Sequence, residues 1–113
     1  MPSYTAPLDD MLFLFAKLRD NKNYNELEKY NEVNLDLVKD ILEEAAKINQ
    51  SLLLLLALAG DEDPAKLENG FVIPPAGYKE AYNKYIEDGW ISLSCDPKYG
   101  GQGMPKTISA FFD

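Results

Sequence analysis

The stretch from Asn34 to Gly60 constrains the fold more than any other part of this chain. Asn34 is a favourable N-cap, and Asp36 puts negative charge in the first turn, where the helix dipole welcomes it. Leu35, Val38, Leu42, Ala45, Asn49, Leu52 and Leu56 recur at spacings of three and four, which is one face of an α-helix. Asp36, Asp40, Glu43, Lys47 and Gln50 take the opposite face, with Glu43 and Lys47 one turn apart as an expected ion pair. Gly60 reads as the left-handed residue just past the helix end. At about 1.5 Å per residue, a helix over 34–59 is roughly 38 Å long, enough to form the centre of a small all-α domain.

The end of this helix breaks its own pattern. Leu52 through Ala59 is apolar all the way round, and Leu54 and Leu58 fall on the line of Asp40, Glu43 and Lys47, the face that should be wet. The run is too short to span a bilayer, which takes about 20 apolar residues. Either the loop after Gly60 folds back over these leucines, or another domain or a second copy covers them. Leu54 and Leu58 are therefore the candidate interface residues.

The remaining segments read as elements that lean on this helix, giving a small all-α bundle. A helix near 7–19 opens at Pro7, carries Asp9 and Asp10 in its first turn, and presents Leu8, Met11, Leu12, Phe15 and Leu18; Phe13 and Leu14 widen the stripe enough to suggest burial on most sides. Asn21 to Asn23 is a polar turn, and Tyr24 to Tyr30 a short, weak helix with Tyr24 and Leu27 inward. Asn69-Gly70 signals a reverse turn, and Phe71-Val72-Ile73 an extended segment that packs over the leucine-rich end. A helix near 75–88 carries Tyr78, Ala81, Tyr82, Tyr85 and Ile86 on one face, expected to be core, and Gly89 ends it. Trp90 should plug the core, with Cys95 as a buried apolar filler beside it. A last helix over 105–113 turns Ile108, Phe111 and Phe112 inward. It is short and uncapped, so the single domain 1–113 is expected to be truncated at that end.

Composition excludes several chemistries. The net charge of −8 supplies no concentration of Lys and Arg for phosphates, which disfavours nucleic acid and an anionic membrane surface alike. With a single cysteine no disulfide forms within the chain, and no basic segment followed by an apolar run marks a signal peptide, so a cytoplasmic location is expected. The absence of histidine removes Ser-His-Asp and Cys-His arrangements and His-ligated metals. Asp61 and Asp63 have the first spacing of a calcium loop, but Lys66 stands where its glycine belongs, so no metal site is expected. The glycines of residues 100–103 look superficially like a phosphate loop, yet no strand precedes them and neither the dinucleotide nor the Walker spacing is complete.

Gly89-Trp90-Ile91-Ser92-Leu93 followed by Asp96-Pro97-Lys98-Tyr99-Gly100-Gly101-Gln102-Gly103-Met104-Pro105 resembles acyl-CoA dehydrogenases, in which a Gly-Trp entry and a Pro-x-x-Tyr-Gly-Gly-x-Gly loop lie near the end of the N-terminal helical domain. Tyr4-Thr5-Ala6-Pro7-Leu8-Asp9-Asp10-Met11 is similar to the N-terminal extension of a bacterial subgroup acting on 3-methylmercaptopropionyl-CoA and on longer acyl chains. Ile41 to Lys47, Gly60-Asp61-Glu62 and Leu67-Glu68-Asn69-Gly70 fit the same pattern. The resemblance implies the N-terminal helical domain of a longer FAD-dependent enzyme that carries out α,β-dehydrogenation of acyl-CoA thioesters. In that family a β-domain and a C-terminal bundle follow, the flavin sits between those later domains, and a C-terminal glutamate takes the α-proton. No residue here inherits those roles, so this chain is expected to hold no cofactor and to be inactive by itself, with acyl-CoA a ligand only of the full-length protein. Tyr99, Gly100, Gly101 and Gly103 are the residues the resemblance sets closest to the acyl chain.

Departures from the family pattern are concentrated in the helices. Leu55, Ala57 and Leu58 stand where the family has a proline and then polar residues, and Leu12 and Ala16 where basic or polar residues are expected. All run towards aliphatic helix formers, as in a detached domain altered to stand or self-associate alone. The expected partners are thus the remaining domains of a parent enzyme or, for a helical interaction module of a different class, a second copy meeting it through Leu54 and Leu58.

Overall fold

The computed structural model describes residues 3–17 and 26–113. Helix α1 covers Leu8–Lys17, and its first turn holds Asp9 and Asp10 as expected. Leu18, Arg19, Asn21, Asn23 and Tyr24 lie outside the described residues. The weak helix before the central one is a single 3-10 turn, Glu28–Tyr30, and Leu27 is exposed rather than inward. The central element comprises α2 (Leu35–Ile48), a π-helical turn (Asn49–Leu53) and α3 (Leu54–Glu62), which together form one 28-residue helix. Helix α4 is Tyr78–Glu87 and helix α5 is Lys106–Phe112.

Local chemistry accounts for the boundaries. The Asn34 side chain accepts a hydrogen bond from the Leu37 N–H at 2.9 Å, the cap its position predicted. The far end falls at Glu62, not before Gly60: the residue before a proline is pushed out of the α region, and Asp63 precedes Pro64. Gly60 stays inside the helix because Tyr78 packs against it; a Cβ there would lie 2.2 Å from the phenol oxygen. The π turn arises where Asn49 and Ser51 bend their side chains back to the carbonyls of Ala45 and Lys47 and compete with the backbone ladder. The Leu54 N–H accordingly reaches the Asn49 carbonyl, and the Gln50 side chain accepts the Ala6 N–H at 3.0 Å.

The core occupies only the first half of this shaft. Val38, Leu42, Ala45 and Ala46 of α2 are buried, and Val38 and Leu42 pack with Phe15, Val33, Leu93 and Ile108. Leu8, Met11 and Leu12 close one side, whereas Phe13 and Leu14 are exposed, so α1 is amphipathic rather than buried on most sides. Leu35, expected inward, is exposed. The expected Glu43–Lys47 pair is replaced by Lys47 with Glu44 and by Lys39 with Glu43 at 3.7 Å.

The second half departs most from the sequence expectation. Lys66–Glu68 (β1) and Phe71–Ile73 (β2) form an antiparallel hairpin, so the fold is helical with one small sheet. Asn69 and Gly70 both have positive φ, 51° and 81°, as the two-residue turn of type I′ requires. The hairpin does not cover the leucines: Leu67, Phe71, Val72 and Ile73 are 74%, 74%, 70% and 45% exposed, and no residue of α3 is buried. The radius of gyration is 17.0 Å, against about 13 Å for a compact domain of this length, and the extents are 55 × 35 × 17 Å. The molecule is a rod with a packed end and an open one.

Candidate functional site

The glycine-rich loop is built by its own backbone. Asp96 opens a 3-10 turn (Pro97–Tyr99), its carboxylate accepting the Lys98 N–H at 2.9 Å. Its carbonyl accepts from Tyr99 and Gly101 at 2.9 and 3.1 Å. The Gly100 N–H goes to Pro97, Gln102 to Ser92, Gly103 to Cys95 and Met104 to Leu93, each within 3.0 Å. Every backbone N–H from Lys98 to Met104 is thus used inside the loop or against the 3-10 turn Trp90–Ser92 and the residues that follow it.

The glycines have different causes. Gly100 has φ +87° with open space around it, so its backbone alone excludes a side chain. At Gly101 a Cβ would sit 2.1 Å from the Cys95 carbonyl oxygen, so here the requirement is close approach. Together they bring Tyr99 to the tip, 80% exposed, with the Lys98 ammonium 5.6 Å from its ring centre. Cys95 is exposed, not the buried filler expected, because the loop needs its carbonyl inward to accept from Gly103.

A pyrophosphate is held by free N–H groups converging from a glycine loop and a helix N-terminus. The donors here are already committed, and the space a phosphate would need at Gly101 is filled by the Cys95 backbone. The loop therefore does not fit a dinucleotide. Among the described residues no cluster of His, Cys, Asp or Glu is arranged to hold a metal ion, and no helix is long and apolar enough to cross a membrane.

Behind the loop lies an aromatic stack. Phe112 is sandwiched between Tyr85 (5.4 Å between ring centres, 17°) and Trp90 (4.8 Å, 23°), tying α5 to α4. Trp90, expected to plug the core, packs against its edge as a partly buried residue, and its buried Nε1 donor finds no acceptor among the described residues. Burial, with a smaller contribution from Asp113, raises the Tyr85 pKa.

A second feature lies along α4 and shares Tyr85 with the stack. Leu53, Leu56 and Ala57 face Tyr78, Ala81, Tyr82 and Tyr85 across an open apolar groove of about 410 Å³. The tyrosine stripe expected to be core is the wall of this groove; only Ala81 is buried, and Tyr82 is 57% exposed. Nothing in the sequence reading paired the two stripes, although the Tyr78 spacing and the leucine run were each visible. Leu54 and Leu58 are half-buried and do not line it. The structure thus keeps the candidate loop residues Tyr99, Gly100, Gly101 and Gly103 together and leaves Leu54 and Leu58 apart from them.

No family model matches the chain. It is 37% identical over 108 residues to the 3-methylmercaptopropionyl-CoA dehydrogenase of Ruegeria pomeroyi. It is 27% identical over 111 residues to a broad-specificity linear acyl-CoA dehydrogenase of Mycobacterium tuberculosis. Each match takes in 96% of this chain but only 18% of the relative. The chain's similarity to acyl-CoA dehydrogenases therefore runs along nearly all of its own residues while spanning less than a fifth of theirs.

Proposed function

We propose that these 113 residues act as the N-terminal helical domain of an FAD-dependent acyl-CoA dehydrogenase, contributing architecture rather than catalysis. The observation that carries this reading is the near-complete match to a short segment of two such enzymes. The saturated N–H groups of the glycine loop agree with it, because they leave the flavin to the rest of the polypeptide. In this reading the flavin site and the carboxylate that takes the α-proton lie outside the chain. The Tyr99–Gly103 loop serves as a stiff wall on the acyl side of the cleft, held by its own hydrogen bonds before any substrate arrives.

The test is a chimera in which this chain replaces the matching segment of the Ruegeria pomeroyi enzyme. The expected product is a yellow protein that dehydrogenates 3-methylmercaptopropionyl-CoA, while the 113-residue chain alone is colourless. A chimera that retains flavin but loses all acyl-CoA turnover overturns the reading, as does flavin bound by the isolated chain.

A further inference from the structure

Leu52 through Ala59 is apolar on every side and no residue of α3 is buried, so the hydrophobic pattern gives this half of the shaft no preferred face. How far it is turned is set by the π turn, which takes in one residue more than a regular turn. With a regular turn, each residue of α3 would advance one place around the helix, to where its successor now stands. Leu55 and Leu56 would then face α4 in the places of Leu56 and Ala57. The exchange is apolar for apolar, and it brings a leucine to a position where an alanine leaves the groove open. Burial alone therefore supports both settings, and the regular one also avoids the rarer π geometry.

One contact separates the two settings. In the same exchange Ala59 would come to the place of Gly60, where a Cβ would lie 2.2 Å from the Tyr78 phenol oxygen. While its ring stays where it is, Tyr78 therefore admits glycine at that place and excludes alanine. Helix α4 is a fixed reference for this contact, because Phe112 stacks on both Tyr85 and Trp90 and ties α4 to the packed end. The hairpin that joins α3 to α4 is exposed on both strands, so it offers little resistance to a turn of α3. We propose that α3 has two settings one residue apart, and that the Tyr78 ring over Gly60 selects the observed one. Tyr78 is also a wall of the groove, so lifting its ring turns the leucine-rich half of the shaft and brings Leu55, now 53% exposed, against α4. The proposal is independent of the enzyme reading.

The experiment is methyl NMR of the full 113-residue chain, reading nuclear Overhauser contacts from the Tyr78 and Tyr82 rings to labelled Ala and Leu methyls. The unaltered chain should show contacts to Ala57 and none to Leu55. Transposing the glycine, Ala59→Gly with Gly60→Ala, keeps the composition and moves the residue that Tyr78 admits back by one place. It should shift the contacts from Ala57 to Leu55 and move the Leu54 N–H from the Asn49 carbonyl to that of Gln50. Ala59→Gly alone offers Tyr78 a glycine in either setting and should show both sets of contacts. This milder variant keeps the test decisive if the transposed chain misfolds. A transposed chain that keeps its Ala57 contacts overturns the proposal, and so does an Ala59→Gly chain that shows those contacts alone.

Discussion

Tyr78 lies across Gly60 so closely that a methyl group on the glycine would sit 2.2 Å from the phenol oxygen and 2.8 Å from Cζ. This contact joins the end of α3 to the start of α4, and Tyr78 also lines the groove between them. Glycine inside a helix costs about 1 kcal/mol relative to alanine, so the contact is maintained against helix propensity. Gly60→Ala must push the partly exposed Tyr78 ring aside and should lose part of its gain in helix propensity, whereas in a Tyr78→Ala background the same change should stabilise by the full amount of about 1 kcal/mol. Urea denaturation of the four proteins of this cycle reads the coupling between the two residues.

The loop glycines should rank by mechanism. Gly101→Ala drives a Cβ into the Cys95 backbone, which has no rotamer to move away, and should cost about 1–3 kcal/mol or more. Gly100→Ala meets open space and should cost only the left-handed penalty, about 1–2 kcal/mol. Thermal melts of both variants test the order.

Burial separates the leucines of the central helix. Leu42 is enclosed by the core, and Leu42→Ala should cost about 2–5 kcal/mol. Leu55 is more than half exposed, and Leu55→Ala should cost less than about 1 kcal/mol. Equal losses in chemical denaturation would mean that the open end is covered in solution.

The Tyr85 phenol has its pKa raised, first by burial and then by the Asp113 carboxylate. A raised pKa means that the folded state binds this proton more tightly than the unfolded chain. The resulting stability is fully present below about pH 10, the ordinary tyrosine value, and is lost as pH rises through the folded value. Absorbance titration near 295 nm should show a late component that disappears in Tyr85→Phe. Asp113→Asn should bring it only part of the way back, because burial is the larger cause.

Local signals were legible in the sequence where one residue decides the geometry. Asn34 capped the helix it was expected to cap, Asn69-Gly70 made its turn, and Val38, Leu42 and Ala45 faced the core. Gly60 misled because a glycine near a helix end has two explanations, a left-handed cap or a close neighbour, and Tyr78 is the neighbour that periodicity does not reveal. The stronger terminator was Pro64, which constrains Asp63 whatever surrounds it. The tyrosine stripe of α4 identified a face but not its partner, so core and groove wall looked the same. Cys95 was misplaced because side-chain polarity says nothing about a backbone carbonyl that a loop must turn inward.

The π turn at Asn49–Leu53 also governs how the two ends of the rod are phased. Such a turn accommodates one residue more than a regular helical turn, so deleting a residue there would restore an uninterrupted α-helix. The deletion would keep the phase of the two ends, whereas regularising the turn with no residue removed would swing everything beyond it by about 100° around the shaft. Gly60 would then rotate away from Tyr78, and the open end would be re-aimed while the packed end stayed as it is.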